Sequence, residues 1–175
     1  MTRKPTGNLG RILLAAGRVT LGGVFLFAAY AKLKPQVPGM AWSAASVKTS
    51  LLMFAMQVDS YQMLPPTAVS PAAHLLPFFE LALGLWLVSG VALRFSSLVT
   101  TLLLGGLFGV MLRTYALGLE ISCGCFGPGE KLGTKTLLRD GTLLALSVAV
   151  TVGAFLLQRG KSESPAAQPV PQRAE

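Results

Sequence analysis

Charge is scarce in this chain. Only 13% of its 175 residues are charged, and seven of those are acidic. An ordinary soluble domain carries about twice that share. With 52% hydrophobic residues and a mean hydropathy of +0.60, the composition excludes such a domain and leaves room for one small helical membrane domain. The net charge of +8 does not make a nucleic-acid surface. The Lys and Arg residues sit mainly at the ends of apolar runs and in the tails, where they act as topology and headgroup signals. Histidine occurs once, at His74, and cysteine twice, at Cys123 and Cys125. Zinc wants four ligands, of which two thiolates and His74 supply three. Met53, Met56 and Met63 are soft enough for Cu(I). With no further Cys or His, no metal site is expected.

What the chain does have is Ser122-Cys123-Gly124-Cys125-Phe126-Gly127-Pro128-Gly129, a glycine-rich stretch between two long apolar runs. Two residues apart, cysteines easily meet the Cα spacing of a disulfide but not its preferred dihedral. Gly124 eases that strain because it adopts backbone angles other residues resist. Strained, exposed disulfides are the labile ones, suited to exchange rather than bracing. Such a bond persists only in an oxidising compartment. The competing reading, two small buried hydrophobes, sits badly with the surrounding glycines.

The apolar runs predict four membrane-spanning helices, at about 12–33, 72–93, 95–112 and 137–157, since about 20 apolar residues cross the hydrocarbon core. Ala29-Tyr30-Ala31 resembles a signal-peptidase site, but Arg18 and the length of the run favour a retained first span. A shorter helix-like piece from Trp42 to Tyr61, bracketed by prolines, suits an interfacial helix, with a plain loop as the alternative. Gly105, Gly106 and Gly109 have the spacing that lets another helix approach. The fold class is therefore all-α: a polytopic four-helix bundle with a short interfacial helix between the first two spans. A basic tail (1–11) precedes the domain (12–157), and a Pro/Ala/Gln/Ser-rich tail expected to be disordered follows it (158–175).

Four spans put both termini on one side, and the first connection with the cysteine loop on the other. Eight basic residues against seven decide little about orientation. The basic N-terminus before the first helix favours a cytoplasmic N-terminus and an extracytoplasmic cysteine loop in the cell membrane. Glu80, about eight residues into the second span, is costly there and needs a cation. The expectation is that it faces the bundle interior, on the cysteine side of the midplane, within reach of Lys32, Arg113 or Arg139. Pro77, one turn earlier, should loosen the backbone there. Arg113, Arg139 and Asp140 flank the cysteine loop, and a cation beside a thiol makes the thiolate more available. Cys123 and Cys125 are the candidate catalytic residues. Glu80, Lys32, Arg113, Arg139 and Asp140 are the candidates for ion pairing or proton relay.

Arg18, Gly22-Gly23, Phe25, Ala28-Ala29 and Lys32, then Tyr61-Gln62-Met63-Leu64-Pro65 and Pro77-Phe78-Phe79-Glu80 with Gly84 and Gly90, resemble DoxX-like membrane proteins. Cys123-Gly124-Cys125-Phe126-Gly127, with Arg139-Asp140 opening the last helix, resembles more narrowly the MauE family, over about residues 11–157. That resemblance implies a four-helix domain akin to quinone-linked thiol oxidoreductases of the vitamin K epoxide reductase kind. It also implies a place in maturing disulfide-rich methylamine dehydrogenase beside a thioredoxin-like partner. The motif here is Cys-X-Cys without a second pair, so a shuttle through two internal pairs is excluded.

Three classes of function stay open. One is a membrane thiol–disulfide oxidoreductase, or a subunit of one, working with a thioredoxin-like protein and a quinone-like acceptor near Glu80, including a DoxX-type quinone-linked subunit. The second is a non-catalytic assembly factor or anchor. The third is a small transporter, which the absence of paired broken helices disfavours.

Overall fold

The structure, a computed structural model, describes residues 6–37, 39–119, 121–123 and 131–162. Its elements are α1 (Thr6–Leu33), α2 (Ala44–Ser60), α3 (Pro66–Ser89), α4 (Leu93–Ala116) and α5 (Thr134–Ser162). No strand occurs among the described residues. A single bridge, Ser122 to Lys131, closes the base of the cysteine loop. Leu9–Leu33, Pro66–Ser89, Leu93–Ala116 and Thr134–Leu156 are each long and apolar enough to cross a membrane.

The ends of these helices differ from the expected ones for identifiable reasons. Helix α3 starts six residues before Ala72, because Pro65 is extended and Pro66 sits in the first turn, where the missing N–H costs nothing. It stops at Gly90, which takes φ 71° and donates its N–H to the carbonyls of Trp86 and Leu87. That left-handed glycine is a helix terminator. The turn is Gly90–Ala92, so Arg94 belongs to the first turn of α4 rather than to the connection. Helix α4 runs past Leu112 to Ala116, with Arg113 in its last turn. Helix α5 continues to Ser162; residues 163–175 of the tail lie outside the described residues.

The piece between the first two spans is a helix, not a loop. Ser43 is its N-cap and forms a reciprocal capping box with Ser46, which satisfies donors the first turn leaves open. The Ser50 hydroxyl donates to the Lys34 carbonyl at 2.8 Å, tying α2 to the end of α1. Tyr30 and Trp42 stack at the same corner, 6.1 Å between ring centres.

Helix α1 packs on α3 and α5, and α4 packs on α5. The close approach is at Gly22 and Gly84. A Cβ on either would come 3.0 Å from the other's carbonyl oxygen, so the two backbones touch as small-residue contacts allow. The glycines expected to do this, Gly105, Gly106 and Gly109, do not. A Cβ on Gly106 or Gly109 would meet nothing within 4 Å, and on Gly105 only Leu144 at 3.9 Å. Leu21, Leu87 and Val150 form the core where α1, α3 and α5 meet. Helices α3 and α4 touch sparsely, and that gap is where the site lies.

Candidate functional site

Lys32 lies in the last turn of α1. Its Nζ donates to both carboxylate oxygens of Glu80, at 2.7 Å each. The residues are 4% and 5% exposed, so the pair is shielded from bulk solvent. The ammonium also sits over the Phe54 ring of α2, 5.3 Å from its centre, a favourable place for a cation. Two bonds and an aromatic face are the compensation a buried charge requires.

Of the three cations the sequence offers Glu80, Lys32 takes the position. Arg113 is exposed and places Nη1 2.9 Å from the Met63 sulfur. Arg139 bonds Asp140, Nε to Oδ1 at 2.9 Å. The expected depth needs correcting. Because α3 begins at Pro66, Glu80 lies about 21 Å along it at 1.5 Å per residue, past its middle and nearer its far end. Helix α1 ends level with the interior of α3, so Lys32 supplies the charge at that depth. Pro77, fully buried, lies one turn before Glu80.

The pair stands at the head of a groove of about 940 Å³. Phe54, Gln57 and Val58 of α2 and its C-cap Tyr61 roof it; Phe78 and Phe79 of α3 and Leu102 and Gly106 of α4 are among its walls. Cys123 and Lys32 line the same groove. Cys123 is 4% exposed, so this thiol is covered rather than open to solvent as the glycine-rich loop implied. Its Sγ lies 4.0 Å from the Met111 sulfur. The Tyr61 hydroxyl donates to the Cys123 carbonyl at 2.8 Å, fixing the backbone of the loop to the end of α2. Cys125, the Cys-X-Cys bond and the turn at 127–129 lie outside the described residues.

Residues 10–154 match the family described as methylamine utilisation protein MauE. The chain belongs to the MauE family. No curated protein and no solved structure matches it. With its four apolar helices, this MauE-family chain is a multi-pass membrane protein.

In this MauE-family member the groove brings together Cys123, Lys32 and, through Lys32, Glu80. It leaves Arg113 outside, bonded to Met63. His74 is not drawn in; its Nδ1 lies 2.7 Å from the Ser70 carbonyl of its own helix. Among the described residues no three His, Cys, Asp or Glu side chains gather as metal ligands would. Sequence reasoning missed Phe54, Gln57, Tyr61 and Met111. The first two and Tyr61 had a signal: with Val58 they follow the i, i+3, i+4, i+7 spacing of one helical face. Met111 had none, because a methionine in an apolar span looks like any lipid-facing residue.

Proposed function

We propose that this MauE-family protein is a thiol–disulfide oxidoreductase of the cell membrane, with Cys123 and Cys125 as its exchanging pair and a quinone-class acceptor held in the groove. The observation that carries the reading is that a cysteine of a Cys-X-Cys motif lines one apolar groove of about 940 Å³ together with Lys32, a buried ammonium held by the Glu80 carboxylate. A flat apolar ring fits walls of Phe78, Phe79 and Leu102, whose exposed faces give access from the bilayer. Lys32 supplies the hydrogen-bond donor that a ring carbonyl needs. Its charge is held by Glu80, so the donor is fixed in place before any ligand arrives.

The electron balance closes with one cysteine pair. A partner dithiol exchanges with the Cys123–Cys125 disulfide through a mixed disulfide, leaving the partner oxidised and this pair as two thiols. Reoxidation breaks two S–H bonds and forms one S–S bond. Two electrons go to the quinone, and two protons leave the thiols as two reach the ring oxygens. On this reading the cysteine loop is extracytoplasmic, the partner is a thioredoxin-like or substrate protein there, and the client is of the methylamine dehydrogenase type. The DoxX-like pattern in α1 and α3 supports the same quinone-linked architecture.

A non-catalytic anchor is the second reading, favoured by the burial of Cys123. Single replacement separates them. Cys123→Ser or Cys125→Ser should leave one thiol that traps a partner as a mixed disulfide, visible as a reducible band. An anchor gives no trapped band and keeps supporting client maturation when both cysteines are serine.

A further inference from the structure

Beside the groove lies a second, smaller space. It measures about 50 Å³ and is lined by two carboxylates from different helices, Glu80 of α3 and Asp140 of α5. Leu107 and Met111 line both spaces and form the wall between them. Asp140 is 7% exposed, and Arg139, which holds it, is partly exposed at the start of α5. Apart from the carboxylates the lining is apolar, including Phe25, Ala28 and Phe108. A cavity of about 10–15 Å³ on this measure admits one water, and water stays where polar groups receive it. Two carboxylates facing one small chamber meet both conditions.

We infer that this chamber holds water that joins Asp140 to Glu80, and that it is the proton route between the aqueous end of α5 and Lys32. The inference deepens the redox reading, on which its purpose rests. When the pair is reoxidised, the thiols shed their protons at the cysteine side, whereas a reduced ring oxygen takes its protons inside the groove. Asp140 lies in the second turn of α5, on the cysteine side, so protons lost there re-enter through Asp140, the chamber water and Glu80. Each proton that Lys32 gives to a ring oxygen is replaced along this line, and the total balances. The charged groups around the route are Lys32 from α1 at Glu80 and Arg139 from α5 at Asp140. Helix α4 presents Leu104, Leu107, Phe108 and Met111 to the chamber.

The test reads proton movement without any thiol or quinone chemistry. The full chain, labelled with nitrogen-15 at lysine, is placed in lipid nanodiscs, and hydrogen exchange of the Lys32 ammonium is followed by NMR. Lys32→Arg identifies the signal. Ala28→Val fills the chamber without touching a charge, and Asp140→Asn removes the entry group without filling it. Each should slow the exchange by roughly tenfold or more. If Ala28→Val folds and exchanges as fast as the unaltered protein, the route does not exist. If Ala28→Val slows exchange and Asp140→Asn does not, Asp140 is not its entrance and the inference is wrong. Should Ala28→Val fail to fold, the Asp140→Asn arm decides alone. Failure here leaves the thiol-trapping result unaffected, so the two readings fall separately.

Discussion

Lys32 and Glu80 share one desolvation cost, and each is tolerable only because the other is there. Removing one partner strands a buried charge, which costs about 3–5 kcal/mol, whereas replacing both by apolar residues is often neutral or stabilising. Lys32→Met or Glu80→Gln should therefore lower resistance to thermal or SDS unfolding. The double variant Lys32→Met/Glu80→Leu should recover most of it without recovering thiol exchange. A double variant as unstable as the sum of the singles would show that the pair is not the unit described. Glu80 was legible in the sequence because a carboxylate in an apolar run demands a partner. Lys32 was legible too, because four spans place the end of the first beside the second. Met111 was not, since a methionine within an apolar helix carries no such demand until its neighbours are known.

Helix α1 holds Lys32 at the right height because its backbone meets α3 at Gly22 and Gly84. A side chain at Gly22 would strike Val88 and the Gly84 carbonyl, and such overpacking costs about 1–3 kcal/mol. Gly22→Val should destabilise the protein by that amount and weaken the Lys32–Glu80 contact, seen as faster exchange of the Lys32 ammonium. Helix α2 depends on its cap. Ser43→Ala removes the side-chain half of the capping box and should cost about 1 kcal/mol, with loosening of Tyr61 and of the cysteine backbone it holds. The existence of the four spans was legible from length and hydropathy, whereas α2 reads from the sequence as either a helix or a plain loop. The ends were less legible. The apolar run continues through Gly90 to Leu93, and the left-handed backbone at Gly90 and Ala92 cuts it. Helix α2 was visible as an apolar piece between prolines, but its cap depends on two serines that read equally well as loop. The glycine pattern at 105–109 pointed to the wrong contact, because spacing shows that a close approach is allowed but not which face receives it.

At the scale of the whole molecule, parity is the strongest argument. Four spans put α2, the end of α1 and the cysteine loop at one end, whatever the orientation. The charge count decides orientation weakly. A cysteine placed at exposed Lys131, in protein with both native cysteines as serine, should react with a membrane-impermeant thiol reagent in intact cells. Labelling only after lysis would invert the topology. The groove itself was not legible. It exists because α1 pairs with α3 and α4 with α5, leaving α3 and α4 apart, and no local pattern encodes which helices pair. The central claim is that the cysteines and the groove are one redox site. The direct measurement mixes the reduced protein in nanodiscs, without oxygen, with a soluble quinone, and counts free thiols by alkylation and mass while quinol is followed by absorbance. The account predicts one quinol per protein as Cys123 and Cys125 lose both thiol hydrogens, and a rate lower by roughly a hundredfold in Lys32→Met, the low end of what a positioned proton donor contributes. Thiols that stay reduced under quinone, yet close to a disulfide with a general thiol oxidant, would contradict it.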